Sequence, residues 1–137
     1  MKRLLFCALI TVWVLHVVSP VGLSEQVKFE AGKEQGIPFM TGGVGKGERA
    51  EMKRLSKAYN LKIVLAAKSG AYLANVPVMI FDQSGKQLLK LYSNGPWVYL
   101  LLPEGQYTVK DNHEGQDMEK TVHVAEGLEE VFLQWSS

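Results

Sequence analysis

The chain has 137 residues, of which 47% are hydrophobic and 21% charged, a size and composition that suit one compact domain. Thirteen glycines and five prolines exclude a collagen repeat, and the modest charged fraction excludes a coiled coil or a disordered tail. Fifteen basic and fourteen acidic side chains give a net charge of +1 without a dense basic cluster, so we expect no nucleic-acid partner.

Residues 1–24 have the pattern of a secretory signal peptide. Lys2 and Arg3 supply the positive region, an apolar stretch follows from Leu4 to Val18, and small residues precede a cleavage site after Ser24. The stretch, about 15 residues, is shorter than the roughly 20 residues that span a bilayer, so we expect cleavage and no membrane span afterwards. The interpretation is a bacterial protein that is periplasmic or secreted.

Cleavage changes the chemistry that is available to the mature chain. It removes Lys2, Arg3 and Cys7, which leaves thirteen basic residues, fourteen acidic residues and no cysteine. The mature chain therefore has no disulfide, no thiol nucleophile and no thiolate metal ligand, and its stability must come from burial.

Two segments precede the predicted strands. Residues 25–47 contain six glycines and little periodicity, which predicts an extended Gly-rich leader with loops. Residues 48–60 place Met52, Leu55 and Tyr59 at helical spacing, which predicts one amphipathic helix.

From residue 61 the apolar period becomes two, with turn residues at regular intervals, as in a sandwich or barrel. Short strands are predicted at 61–67, 71–75, 76–82, 87–92, 97–102, 106–111 and 117–124, with an eighth segment at 128–135. The alternative for the second segment, 71–75, is the return of a hairpin. Because the segments 76–81 and 97–102 are apolar on both faces, we expect the helix to cover one sheet with its apolar stripe.

The segment from Val76 onward carries strand and turn motifs that point to a family. The most specific of them is the run from Pro103 to Val109, Pro-Glu-Gly-Gln-Tyr-Thr-Val. With the strands and turns around it, about 60 residues in all, this run resembles the carboxypeptidase regulatory-like domain family. The leader and helix also resemble small exported bacterial members of that family.

The resemblance implies a mainly β fold, a seven- to eight-stranded transthyretin-like or Ig-like antiparallel sandwich, here with one N-terminal helix and spanning residues 61–137. It also implies a noncatalytic accessory module. In the turn signature Pro103, Gly105 and Tyr107, the residues themselves predict a strand end, a tight reversal and an inward tyrosine whose hydroxyl bonds nearby backbone.

A glycine-rich stretch at residues 41–47 invites comparison with a phosphate-binding loop. That motif needs glycine first and a hydroxyl after its lysine, whereas Met40 and Gly47 occupy those places. We therefore expect a turn that leads to the helix, with a nest of backbone N–H groups as the alternative.

The mature sequence contains few residues that could act in catalysis or bind a metal ion. The mature chain has two histidines, His113 and His123, too few for a zinc site unless acids converge on them. No Gly-x-Ser-x-Gly motif is present, and the chain end lacks the Tyr-Arg-Gly-Ser of the hydroxyisourate hydrolases, which share the transthyretin-like fold. We predict no catalytic residues, no metal ligands and no cofactor.

Aromatic residues are the remaining candidates for a ligand surface. Trp97, Tyr99 and Tyr72, together with Tyr92 and Trp135, could form a platform for a sugar or peptide. The alternative is that these strand aromatics are core residues or cross-strand pairs.

The resulting functional hypothesis is an exported noncatalytic binding or accessory module of the cell envelope. Its partner would be a protein or an envelope polymer, met through an edge strand or a loop end. Two alternatives stay open: a small hydrolase that uses acids or His113 at the sandwich mouth, and an oligomeric envelope scaffold.

Overall fold

A computed structural model describes residues 29–136. The predicted signal peptide and the first residues of the predicted leader lie outside the described part. In chain order the elements are β1 (Glu30–Glu34), β2 (Ile37–Gly42), α1 (Lys46–Leu55), a 3₁₀ turn (Ser56–Ala58), β3 (Leu61–Ala67), β4 (Pro77–Phe81), β5 (Gln87–Tyr92), β6 (Trp97–Leu100), β7 (Gly105–His113), β8 (Gln116–Val124) and β9 (Glu129–Trp135).

The strands form two sheets, which confirms the predicted sandwich. One sheet has the order β1-β2-β6-β3-β9 and the other β5-β4-β7-β8. Alternate side chains of both sheets enclose one apolar core, in which Ile63, Val98 and Val109 are fully buried. Pairing is antiparallel except between β3 and β9, which run parallel, so the sandwich is not wholly antiparallel as the resemblance implied.

The glycine-rich segment is more ordered than an extended leader. Its residues form the hairpin β1–β2, and β2 then pairs with β6, so the hairpin extends the five-stranded sheet. Gln35 and Gly36 both have positive φ, the requirement of the two-residue turns that match strand twist.

Helix α1 covers the outer face of the five-stranded sheet, as the two-sided apolar strands predicted. Met52 is fully buried against Met40, Val64, Trp97 and Tyr99. Leu55 and Tyr59 are partly buried at the edge of the same cluster. The described residues contain no helix of the length and apolarity that a bilayer crossing requires.

Two further local predictions have clear outcomes. The segment 71–75 makes only an isolated bridge between Ala66 and Tyr72, so it is not a full strand. Tyr107 is buried, and its hydroxyl donates to the carbonyl of Pro103 at 2.6 Å, which confirms the predicted corner.

Candidate functional site

A groove opens at one end of the sandwich, and we call it the loop-end groove. Its volume is about 530 Å³. Three separate stretches of chain line it: the 3₁₀ turn with Tyr59 and Asn60, the segment after β6, and the β8–β9 loop at residues 125–128. It is therefore a product of tertiary structure.

Two leucines stand exposed in the loop-end groove. Leu101 and Leu128 are each 42% exposed, although the neighbouring Leu100 and Leu102 are buried in the core. Two leucines open to solvent in one concave place give the groove an apolar contact area.

Asn60 holds this part of the groove in shape. Its side-chain amide donates to the carbonyl of Leu102 at 2.7 Å and accepts the N–H of Leu102 at 2.9 Å. The N–H of Leu101 donates to the carbonyl of Pro38 at 3.1 Å. The backbone at Leu101 and Leu102 is therefore hydrogen-bonded, and the Leu101 side chain lies on the solvent side.

Charged side chains surround the apolar contact area. Lys57, Glu104 and Glu126 are all exposed at the groove, so carboxylates outnumber cations there. The hydroxyl of Ser56 is committed to the carbonyl of Lys53 at 2.7 Å. The arrangement suits contact with an apolar side chain that has a cationic side chain beside it.

The aromatic platform is wrong for Trp97, Tyr99 and Trp135, which are buried, whereas Tyr72 and Tyr92 are exposed. Trp97 is 7% exposed and Tyr99 is 1% exposed, because α1 lies over both. Burial, with a smaller effect from Glu130, raises the pKa of Tyr99 to about 12. Tyr72 remains exposed, but the buried rings cannot form a surface with it.

The space beneath α1 also holds a buried cation. Lys62 places its Nζ 3.9 Å from the centre of the Trp97 ring and 3.5 Å from a carboxylate oxygen of Glu130. The two contacts compensate the burial of the ammonium group, so Lys62 has a structural explanation.

The glycine-rich stretch binds an anion that the protein itself supplies. The N–H of Gly43 donates to Oε1 of Glu48 at 2.7 Å. Arg49 donates to the carbonyls of Gly43 and Val44, both at 2.9 Å. The stretch leads from β2 into α1, as expected, and the N–H of Gly43 has the Glu48 carboxylate as its partner.

The two histidines lie at opposite ends of the β7–β8 hairpin. His113 pairs with Gln116 beside the turn, whereas His123 pairs with Gln106 at the far end. His113 packs edge-on against Trp135, with ring centres 5.8 Å apart. Within residues 29–136, no three His, Cys, Asp or Glu side chains gather in a way that could hold a metal ion.

Asp111 is the most unusual ionisable group in the described chain. It is 1% exposed on the inner face of β7, between Val78 of β4 and Met118 of β8, and neither carboxylate oxygen accepts a hydrogen bond of good geometry. Burial raises its pKa to about 7, and the nearby N–H of Asn112 offsets only part of that shift.

Sequence reasoning missed these features to different degrees. Alternation placed Tyr107 and Val109 inward and would have placed Asp111 inward as well. The loop-end groove left no comparable pattern, because Asn60, Leu101 and Leu128 belong to three distant stretches. Isolated leucines at strand ends look like core residues in a sequence.

Comparisons with known proteins do not show a family for this chain. No family model and no curated protein matches the chain. Among solved structures, it is similar to the Bacillus anthracis TIE protein, with 20% sequence identity and a TM-score of 0.45. The match covers 56% of this chain and 16% of that protein, so the chain spans only a small part of its length.

Proposed function

We propose that this protein is an exported, noncatalytic binding module of the cell envelope that holds a protein partner in the loop-end groove. The observation that carries the proposal is the exposure of Leu101 and Leu128 in one groove. The mainly β sandwich agrees with a carboxypeptidase regulatory-like accessory domain, and we propose that family on the motif at Pro103 to Val109.

The groove has the composition of a small protein-binding surface. Interfaces between proteins combine an apolar centre with a polar rim, and a few central side chains supply most of the affinity. Leu101 and Leu128 would be that centre, with Glu104 and Glu126 on the rim. The complementary partner presents an apolar side chain with a lysine or arginine beside it.

The hydrogen-bonded backbone beside Leu101 supports binding. A surface that is fixed before the partner arrives loses less conformational entropy when the complex forms. The paired hydrogen bonds of Asn60 to Leu102 fix the backbone next to Leu101 in this way.

The test is capture from envelope extract with the mature chain and a double variant, Leu101→Ser with Leu128→Ser. We expect the variant to recover at least about tenfold less of the partner, as the loss of two central apolar contacts would produce. The control is Val44→Ser with Tyr92→Ser, which changes two other exposed apolar residues. Equal recovery by wild type and groove variant would refute the groove as the binding surface.

Export is tested separately. The signal-like pattern of residues 1–24 supports it, together with the absence of cysteine from the mature sequence. N-terminal sequencing of the protein from the culture medium or periplasm should begin at Glu25. Recovery of the protein from the cytosolic fraction, with residues 1–24 still attached, would contradict export.

One observation favours the hydrolase alternative enough to test it. His113 lines a pocket of about 220 Å³ with Trp135 and Glu114, at the end of the sandwich with the β7–β8 turn. His113→Ala would abolish any hydrolytic activity that uses this imidazole, whereas His123→Ala would leave it unchanged. The scaffold alternative predicts a defined oligomer of the mature chain in sedimentation analysis.

A further inference from the structure

We propose that the outer edge of β1 is a strand-addition site for an extended polypeptide segment whose cationic side chains recur at positions i and i+4. This site is separate from the loop-end groove, and it uses the backbone where the groove uses leucine side chains.

Strand β1 is the edge of the five-stranded sheet. Within residues 29–136, β2 is the neighbour that β1 pairs with, and its other side carries no strand. All five residues from Glu30 to Glu34 are exposed. An edge of this kind presents a row of N–H and C=O groups that another strand can pair with.

The hairpin register tells which backbone groups face outward. In a two-residue hairpin the closing pair, here Glu34 and Ile37, exchanges both hydrogen bonds, and the pairs then alternate. The next pair is Lys33 with Pro38, and the carbonyl of Pro38 is bonded to Leu101 on the opposite side. The N–H and C=O groups of Lys33 and Ala31 therefore point away from β2.

The opposite side of the sandwich shows what a closed edge looks like in this protein. There β8 and β9 are joined by side chains: Lys120 donates to the carbonyl of Phe132 at 2.5 Å, and Trp135 donates to that of Gln116 at 3.2 Å. Strands β1 and β5 also approach each other on their side of the sandwich, but in the described part of the chain no side-chain hydrogen bond of this kind joins them. The backbone edge of β1 is therefore not bridged to the other sheet.

The side chains of β1 select the occupant. Glu30, Gly32 and Glu34 share one face of the strand, so two carboxylates flank a glycine. An antiparallel strand with lysine or arginine opposite each carboxylate gains two cross-strand ion pairs. A second copy paired about Gly32 would instead place Glu30 opposite Glu34 of its partner, which is repulsive.

The probe is a capped peptide with the core sequence Lys-Val-Thr-Val-Lys, compared with Glu-Val-Thr-Val-Glu. In the antiparallel register its lysines lie opposite Glu34 and Glu30, and its valine amides face Lys33 and Ala31. Titration into the mature protein, followed by amide NMR, should shift the Ala31 and Lys33 signals with the lysine peptide. We expect the glutamate peptide to bind at least about tenfold more weakly.

Ala31→Pro is the matched protein variant, because it removes an outward N–H and leaves the β1–β2 hydrogen bonds intact. Ala31→Val keeps that N–H and serves as its control. We expect Ala31→Pro to weaken the lysine peptide at least about tenfold and Ala31→Val to leave it unchanged.

A modified peptide keeps the test independent of how the variant folds. Methylation of both valine amides should abolish binding, whereas methylation of the threonine amide should not. Equal binding by the two charge types, shifts confined to Leu101 and Leu128, or binding by the valine-methylated peptide would each overturn the proposal. Concentration-dependent shifts of the β1 amides without peptide would overturn it in favour of a second copy.

Discussion

Asn60 and Leu102, 42 positions apart in the sequence, are joined by two hydrogen bonds between the Asn60 side chain and the Leu102 backbone. The pairing imitates one rung of a β ladder at the place where β6 has ended. It supplies partners for backbone groups of a buried residue, and it holds Leu101 toward solvent. One amide side chain thus connects the core to the proposed binding surface.

Replacing Asn60 by alanine should therefore destabilise the fold. Both bonds are lost and the backbone groups of Leu102 are left unpaired, so we expect a loss of about 1–3 kcal/mol in the free energy of unfolding. Urea denaturation measures this difference. Asn112→Ala is the control, because its side chain bonds Asp117 at the surface and its loss should change stability by less than about 0.5 kcal/mol.

Because its carboxyl group is buried, Asp111 should make the folded state more stable at acidic pH than at neutral pH. Its pKa is about 7 in the folded chain and about 3.9 in an unfolded one, so the folded state holds the proton between these values. Its contribution to stability is therefore greatest below about pH 4, falls as the pH rises to about 7, and stays low above that.

The test of this sign is a comparison of wild type with Asp111→Asn in urea melts from pH 4 to pH 8.5. The variant should gain stability relative to wild type as the pH rises. Asp82 gives the opposite sign, because the Ser84 hydroxyl and the Lys86 N–H lower its pKa, and Asp82→Asn should lose its effect only as the pH falls below about 4, so the melts of this variant extend to lower pH. A difference between wild type and Asp111→Asn that is independent of pH would contradict the burial of a neutral acid.

The helix cover should contribute strongly to stability through Met52. This side chain is fully buried between α1 and the outer face of the sheet, so Met52→Ala should cost about 2–5 kcal/mol. Val44→Ala, at a residue that is 67% exposed, should be nearly neutral. Denaturant midpoints of the two variants decide the point, and similar midpoints would mean that α1 is not packed on the sheet.

Replacement by alanine should lower stability at Gly95 and have little effect at Gly45. A Cβ at Gly95 would overlap the backbone carbonyl of Gly42, so Gly95→Ala should force the two backbone segments apart and lower the melting temperature. A Cβ at Gly45 meets nothing within 4 Å, and φ there is −99°, so Gly45→Ala should be tolerated. Thermal denaturation of the pair tests the close approach directly.

Alternation predicted the strands of the central core well. The observed bounds of β3 (Leu61–Ala67) and β5 (Gln87–Tyr92) coincide with the predicted ones. Both strands have regular apolar spacing and are bounded by turn residues, so local information was sufficient. The buried Tyr107 was also predictable, because its partner at Pro103 is only four positions away.

The β1–β2 hairpin was not predictable in the same way. Strand β1 contains alanine, glycine, lysine and glutamate in place of β-branched residues and buries none of its side chains, whereas β2 has the β-branched Ile37 and Thr41 but also Pro38. Pairing of β2 with β6, more than 50 positions later, is what places this segment in the sheet. That information is not local.

Trp97 and Tyr99 show how a tertiary contact decides exposure. A strand that is apolar on both faces puts aromatic side chains outward, where they form a ligand surface only if nothing covers them. The predicted helix covers them, so the two predictions were in conflict and packing decided between them. Leu101, one alternation later on the same strand face, lies beyond the helix and remains open.

Photocrosslinking at the loop-end groove tests the central claim, that this module binds a protein partner there. A photoreactive phenylalanine analogue at Leu128 of the full chain, expressed in the producing cells, should yield a discrete adduct with another protein. The same analogue at Tyr92, which is also exposed, should yield none. An adduct at position 92 with none at 128, or no adduct at either position, would contradict the account.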